Sequence, residues 1–194
     1  IGQSVRGVLP ASLRKKVPAY RAPGPVPSRD HVRKVLLLKG CVQPAMLPSI
    51  DAATQRVLDA LGIASVVAPG SGCCGAIKHH LADAQGGLDA ARRNIDAWWP
   101  DISSDRVEAI VINASGCGVM VKDYGDLLAD DPVYAEKAKR ISAVAKDPIE
   151  LLESLLGELT QLAKQRRAAS VAPDQHRQTL GERVAFHPPC TLQH

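Results

Sequence analysis

Aromatic side chains are scarce in this sequence, with one Phe, two Trp and three Tyr among 194 residues. A core built on stacked rings is therefore excluded, and packing must rest on Leu, Val, Ile and Ala. The same scarcity leaves no basic stripe interleaved with aromatics, so no nucleic-acid partner is expected. No apolar run reaches the roughly 18 residues that a membrane-spanning helix needs. A charged-then-apolar leader pattern is missing as well. The net charge of +4 is mild, so no strong field of one sign is expected. Cysteine is neither absent nor abundant. Five is an odd number, and the spacing is unlike that of a small secreted scaffold. With 45% hydrophobic and 23% charged residues, the chain can build a core without staples. A reducing setting, with thiols used for metal or redox work, is expected over disulfides.

What is present centres on Gly70-Ser71-Gly72-Cys73-Cys74-Gly75-Ala76. Neighbouring side chains seldom point at one target, and the flanking glycines allow the turn that would let them. A disulfide between adjacent cysteines is strained. Two thiols forced into one small volume suggest a metal or a cluster, against the plainer reading of two small buried residues in a tight turn. The remaining cysteines share the setting. Cys41 follows Val35-Leu36-Leu37-Leu38-Lys39-Gly40, Cys117 follows Ile110-Val111-Ile112-Asn113-Ala114-Ser115-Gly116, and Cys190 follows Val184-Ala185-Phe186-His187-Pro188-Pro189. Each cysteine lies just past an apolar run of strand type. In an open α/β sheet the carboxyl ends of the strands are where ligands bind.

Along the chain, residues 1–31 are rich in Pro and basic side chains and read as an extended linker. A basic lipid- or nucleic-acid-binding arm is the lesser alternative for this stretch. Strands are expected at 34–38, 63–68, 107–112 and 183–187. The intervening helices are expected from Pro48 to Gly62, over 76–81, from Asp83 to a stop at Pro100, and over 117–128. Two more should start at Asp131-Pro132 and Asp147-Pro148, each an Asp cap followed by Pro. The first of these should run to about Ala145. Residues 164–182 read as a polar loop or hairpin. Alternating strands and helices predict an α/β fold, a parallel sheet flanked by helices, after the Pro-rich linker. The expected organisation is linker 1–31, one cysteine-rich domain over 32–182, and the opening strand of a second such domain over 183–194. The start at Ile1 and the stop at His194 read as those of a piece of a longer protein. Trp98 and Trp99 read as one core and one rim residue.

The cysteine spacings are strand–helix distances, longer than the knuckles of zinc fingers or bacterial ferredoxins. Cys41, Cys73, Cys74 and Cys117 can converge from three strand ends. Four thiolates would satisfy a [4Fe–4S] cluster or a structural zinc. A nucleophilic cysteine assisted by His79 or His80 is a third option, although both histidines read more simply as exposed helix residues. At Cys117 the expected helix N-terminus favours thiolate.

The combination of Gly40-Cys41, Gly72-Cys73-Cys74-Gly75-Ala76 and Ser115-Gly116-Cys117-Gly118 resembles the cysteine-rich CCG domain. That domain occurs in heterodisulfide reductases and in iron–sulfur subunits of lactate and glycolate oxidation systems. Gly40-Cys41-Val42-Gln43-Pro44, His79-His80, Arg93-Asn94-Ile95-Asp96-Ala97-Trp98-Trp99 and Ala185-Phe186-His187-Pro188-Pro189-Cys190-Thr191-Leu192-Gln193-His194 resemble the iron–sulfur subunits of glycolate oxidase (glycolate dehydrogenase). The resemblance implies a Rossmann-like domain and an electron-transfer role. Electrons would come from an FAD-containing subunit oxidising glycolate to glyoxylate and go toward quinone or the respiratory chain. It implies Cys41, Cys73, Cys74 and Cys117 as ligands, and backbone N–H groups of Gly72, Gly75, Gly116 and Gly118 around the cofactor. Cys190 would be the first ligand of a second half. Where the family pattern has a further cysteine, this chain has Met120. The cofactor expected is an iron–sulfur cluster, [4Fe–4S] first, with zinc or a metal-free site as alternatives. Further complex subunits are implied as partners, along with a cytoplasmic location or peripheral association with the cytoplasmic face of the inner membrane. A structural or zinc-binding interaction domain and a heterodisulfide-reductase-like thiol redox subunit are the rival functions.

Overall fold

The computed structural model describes residues 7–14 and 20–169. Cys190, the expected strand at 183–187 and residues 170–182 lie outside the described residues. A single turn, α1 (Ala11–Arg14), lies within the Pro-rich N-terminal segment. The first strand, β1 (Arg33–Leu38), is followed by a short helix α2 (Gln43–Met46) and by α3 (Pro48–Ala60). Gly62, at φ 74, ends α3 in the left-handed conformation that suits glycine. Then come β2 (Ile63–Val66), α4 (Ala76–His80) and α5 (Ala84–Ile102), the last capped by Asp83 accepting from the Gly86 N–H. β3 (Ile110–Ile112) leads to α6 (Ser115–Lys122), α7 (Tyr124–Leu127) and α8 (Ala135–Val144). β4 (Ala145–Lys146), α9 (Pro148–Ser154) and α10 (Leu156–Ala169) complete the described chain.

The sheet is parallel throughout, with strand order β2-β1-β3-β4. Successive residues of β1 face opposite sides, as strand geometry requires. Leu36 and Leu38 pack with Ile110, Ile112, Ile95, Trp98, Tyr124 and Ile141 in the larger core. Val35 and Leu37 pack with Ile63, Val111, Leu58, Leu151 and Leu155 in the smaller one. A parallel strand covered on both faces needs a continuous apolar run, and Val35-Leu36-Leu37-Leu38 supplies one.

Four expectations for local structure are corrected. Pro100 does not stop α5, which continues to Ile102. Pro100 and the exposed Asp96 one turn earlier both face solvent, so the carbonyl left without a donor can be hydrated. Asp131 does not start a helix at once. Its carboxylate accepts from the N–H groups of Val133 and Tyr134 in a turn, and α8 begins at Ala135. Ala145, expected at the end of that helix, instead opens β4, pairing with Ile110. Residues 164–169, read as loop, continue α10. The helix expected from Asp147 is present, with a full capping box to Glu150 and Pro148 in the first turn. The Pro-rich segment lies against α3, where Arg56 Nη1 donates to the carbonyls of Pro23 and Pro25 at 2.7 and 3.2 Å. His31 Nε2 lies 2.9 Å from Asp59 Oδ1.

Candidate metal centre

Because the strands are parallel, β1, β2 and β3 all end at one edge of the sheet. The order β2-β1-β3 means that the chain leaves β1 to one side and β3 lies on the other. A crevice at such a switch of direction is the usual ligand site of an open α/β sheet. Cys41, Cys73, Cys74 and Cys117 line one cavity of about 340 Å³ at this edge. Its wall also includes Lys39, Gln43, Ile77, Ile112 and Gly116, and among the described residues no carboxylate or imidazole. All four thiols are free. Cys41 is exposed, Cys73 and Cys117 are half-buried, and Cys74 is buried.

The thiols form a connected set. Each shifts the charge of its neighbours: Cys73 acts on Cys41 and Cys74, and Cys74 and Cys117 act on one another in opposite directions. Cys74 is pulled down to about 6, first by the hydrogen bond from Cys117 and then, against its burial, by the N–H of Ala76. Cys117 is pushed up because it is the donor in that bond, and burial adds to the effect. Burial, followed by the Cys73 and Cys74 thiols, raises Cys41. The directions run against the expectation at Cys117: its thiol is raised and that of Cys74 lowered. The start of α6 lies beside Cys117, yet the backbone donor Ala76 and the Cys117 proton both serve the Cys74 sulfur.

Two polar networks hold the loops, and neither was visible in the sequence. Asn94, fully buried on α5, accepts the Gly72 N–H on Oδ1 at 2.8 Å. Its Nδ2 donates to the Cys73 carbonyl at 3.0 Å and to Tyr124 Oη at 3.2 Å. The Tyr124 hydroxyl donates in turn to the Cys74 carbonyl at 2.7 Å. On the other side, Asp51 of α3 is 4% exposed. Its Oδ1 accepts from Gln43 Nε2 at 2.7 Å and Asn113 Nδ2 at 2.8 Å. Thr54 Oγ1 donates to Asn113 Oδ1 at 2.8 Å. Burial pushes the Asp51 carboxyl up, against those two donors and Lys39. This second network joins the segment after Cys41 to the strand end before Cys117.

The four glycines differ in their placement. Gly116 lines the cavity. The Gly72 N–H is bonded to Asn94, and the Gly118 N–H to the Ala114 carbonyl at 2.9 Å. Gly75 holds φ 93 as the cap of α4, and a Cβ there would lie 2.6 Å from the Gly87 carbonyl oxygen. Met120 is buried in the larger core and is not part of the cavity wall. His79 is half-buried and His80 exposed, and neither lines the cavity, so among the described residues no imidazole stands ready to activate a cysteine there. Trp98 is core and Trp99 sits at its rim, with Lys137 Nζ 5.7 Å from the Trp99 ring centre.

Among the described residues no three His, Cys, Asp or Glu side chains are arranged to hold a single ion. Four thiols spread round a cavity, with Lys39 in its wall, suit a larger anionic thiolate-ligated cluster better than one tetrahedral ion.

The model of a cysteine-rich domain, CCG, matches residues 35–122. The chain is similar to the glycolate oxidase iron-sulfur subunit of Escherichia coli K12, with 45% identity over all of this chain and 44% of the relative. It is 32% identical to the probable glycolate oxidase iron-sulfur subunit of Bacillus subtilis 168, over 75% of this chain and 32% of the relative. It is 28% identical to lactate utilization protein A of Bacillus pumilus, over 63% of this chain and 48% of that protein. The chain therefore spans less than half the length of these curated relatives. No solved structure matches it.

Proposed function

Residues 35–122 belong to the cysteine-rich CCG domain family, and from that premise we propose that the chain is part of the iron–sulfur subunit of a glycolate-oxidising complex. The observation that carries the reading is the meeting of Cys41, Cys73, Cys74 and Cys117 around one cavity, in a chain 45% identical to a subunit of that name. In this reading the four cysteines hold a [4Fe–4S] cluster, which supplies one-electron redox chemistry when bound. The chain's own residues orient the thiols, shield them and tune their charge. Cys74, with its depressed pKa, presents a thiolate. Cys73 and Cys117 would join it from half-buried positions, and Cys41 sits on the solvent side. Lys39 offsets negative charge in the cavity wall.

The substrate chemistry belongs to a partner. We assign it to an FAD-containing subunit that oxidises glycolate to glyoxylate, with electrons passing through this subunit toward quinone or the respiratory chain. No helix among the described residues is long and apolar enough to cross a membrane. In this reading the complex works in the cytoplasm or on the cytoplasmic face of the inner membrane. Cys190 is assigned to a second metal-binding half.

Anaerobic purification of the full-length protein with its flavin partner tests the proposal. Iron with acid-labile sulfide is expected, and glycolate should bleach the cluster absorbance. Zinc at one per chain in place of iron, or iron that glycolate never reduces, overturns it. Cys190→Ser should leave the iron of the first site unchanged. Loss of that iron would make Cys190 a ligand of the first site.

A further inference from the structure

The polar groups of the Cys73–Cys74 turn fall into two sets. Its carbonyls face the protein. Cys73 O receives Asn94 Nδ2 at 3.0 Å and Arg93 Nη2 at 3.2 Å, and Cys74 O receives Tyr124 Oη at 2.7 Å. The N–H groups of Cys74 and Ala76 are turned toward the Cys74 sulfur. A peptide unit is planar, with its C=O and N–H pointing opposite ways. Holding the Cys73 carbonyl on the protein side therefore holds the Cys74 N–H on the sulfur side. Asn94 and Tyr124 are both 0% exposed and bonded to each other. Water cannot take over their bonds, so the orientation of the turn depends on them. Neither residue lines the cavity.

We propose that Asn94 and Tyr124 are positioning residues, which fix the peptide dipoles of the Cys73–Cys74 turn and thereby set the reduction potential of a cluster held by these thiols. The inference rests on the cluster reading above. Reduction adds negative charge to a cluster. N–H groups aimed at a ligating sulfur stabilise that charge and raise the potential, whereas carbonyl oxygens turned there would lower it. Arg93 is exposed and bonded to the same Cys73 carbonyl, so it takes a smaller part in the same task.

The test compares the full-length protein with Tyr124→Phe, which keeps the ring and loses only the hydroxyl, and with Arg93→Ala, a surface change that spares the core. After anaerobic reconstitution with ferrous iron and sulfide, both variants should hold as much iron as the parent. Their potentials should be lower, more so for Tyr124→Phe, with altered paramagnetic spectra of the reduced state. A second arm uses iron-free protein and counts alkylation at each cysteine by mass spectrometry. Tyr124→Phe should speed alkylation of Cys73 and Cys74 about fivefold or more, the equivalent of one lost buried hydrogen bond, and leave Cys41 near its original rate. Unchanged potential and spectrum in both iron-loaded variants overturn the proposal. If the parent takes up no iron, the cluster reading falls and the tuning role with it. Unchanged alkylation at Cys73 and Cys74 rejects the clamp whether or not iron binds.

Discussion

The two sides of the thiol cavity are built on different principles. The Cys73–Cys74 side is buried, and its backbone carbonyls are taken by Asn94 and Tyr124, two side chains sealed in the main core. The Cys41 side is exposed. Gly40 turns the chain at φ 68 in open space, and the short helix α2 that follows has no side-chain cap. Cys41 is steadied at one remove, through Gln43 and Asp51. One side is therefore preformed by the folding of the core, while the other can adjust to what it meets.

The largest expected effect sharpens this contrast at the metal. Cys74→Ser should abolish iron uptake by the full-length protein. Cys41→Ser should retain part of the iron and release it faster to a chelator, because solvent can reach that position. Equal and complete loss in both variants would break the comparison.

The next concerns the turns. Gly75→Ala puts a Cβ within 2.6 Å of the Gly87 carbonyl oxygen while keeping a left-handed φ. Its cost should exceed about 3 kcal/mol, from strain and collision together. At Gly40 nothing lies within 4 Å of the added Cβ, so Gly40→Ala should cost only about 1 kcal/mol, the left-handed penalty alone. Denaturant unfolding measures both, and similar costs would refute the distinction.

The smallest effect is pH-dependent. Burial raises the folded-state pKa of Asp51, so the folded protein holds this proton where the unfolded chain has released it. Stability from this group is present below the ordinary carboxylate pKa, about 3.9, and is lost as pH rises through the higher folded value. Asp51→Asn should remove that loss. Its melting temperature relative to the parent should climb from acid toward neutral pH and then level off. A difference that stays flat across this range would show that Asp51 is not held against its burial.

The meeting of Cys41, Cys73, Cys74 and Cys117 at one edge was legible because each follows a strand and a turn residue, and parallel strands end together. The apolar run of β1 was equally plain. What escaped has physical reasons. β4 is two residues long and follows α8 without a loop, so no alternation betrays it. Asn94 and Asp51 look like ordinary helix polar residues until the fold buries them against loops distant in sequence. Asn94 did fall within a stretch quoted for its family likeness, but its bonds to the Cys73–Cys74 turn depend on α5 crossing beneath that turn. The charge on Cys74 depended on which sulfur the Ala76 N–H faces, and spacing carries no such information.

Arg33, at the first residue of β1, grips Glu108 with two bonds of 2.7 and 2.9 Å and reaches Glu158 of α10 at 3.1 Å. These half-exposed pairs add little to stability. They mark a junction at the end of the sheet remote from the thiols. The approach to β1 and the first turn of α10 are both fastened there. A change at this junction therefore lies a full strand length away from the sulfurs. Among the described residues the ion pairs of Arg33 and the four thiols occupy opposite ends of β1, so the fastening of α10 and the thiol cavity are spatially separate.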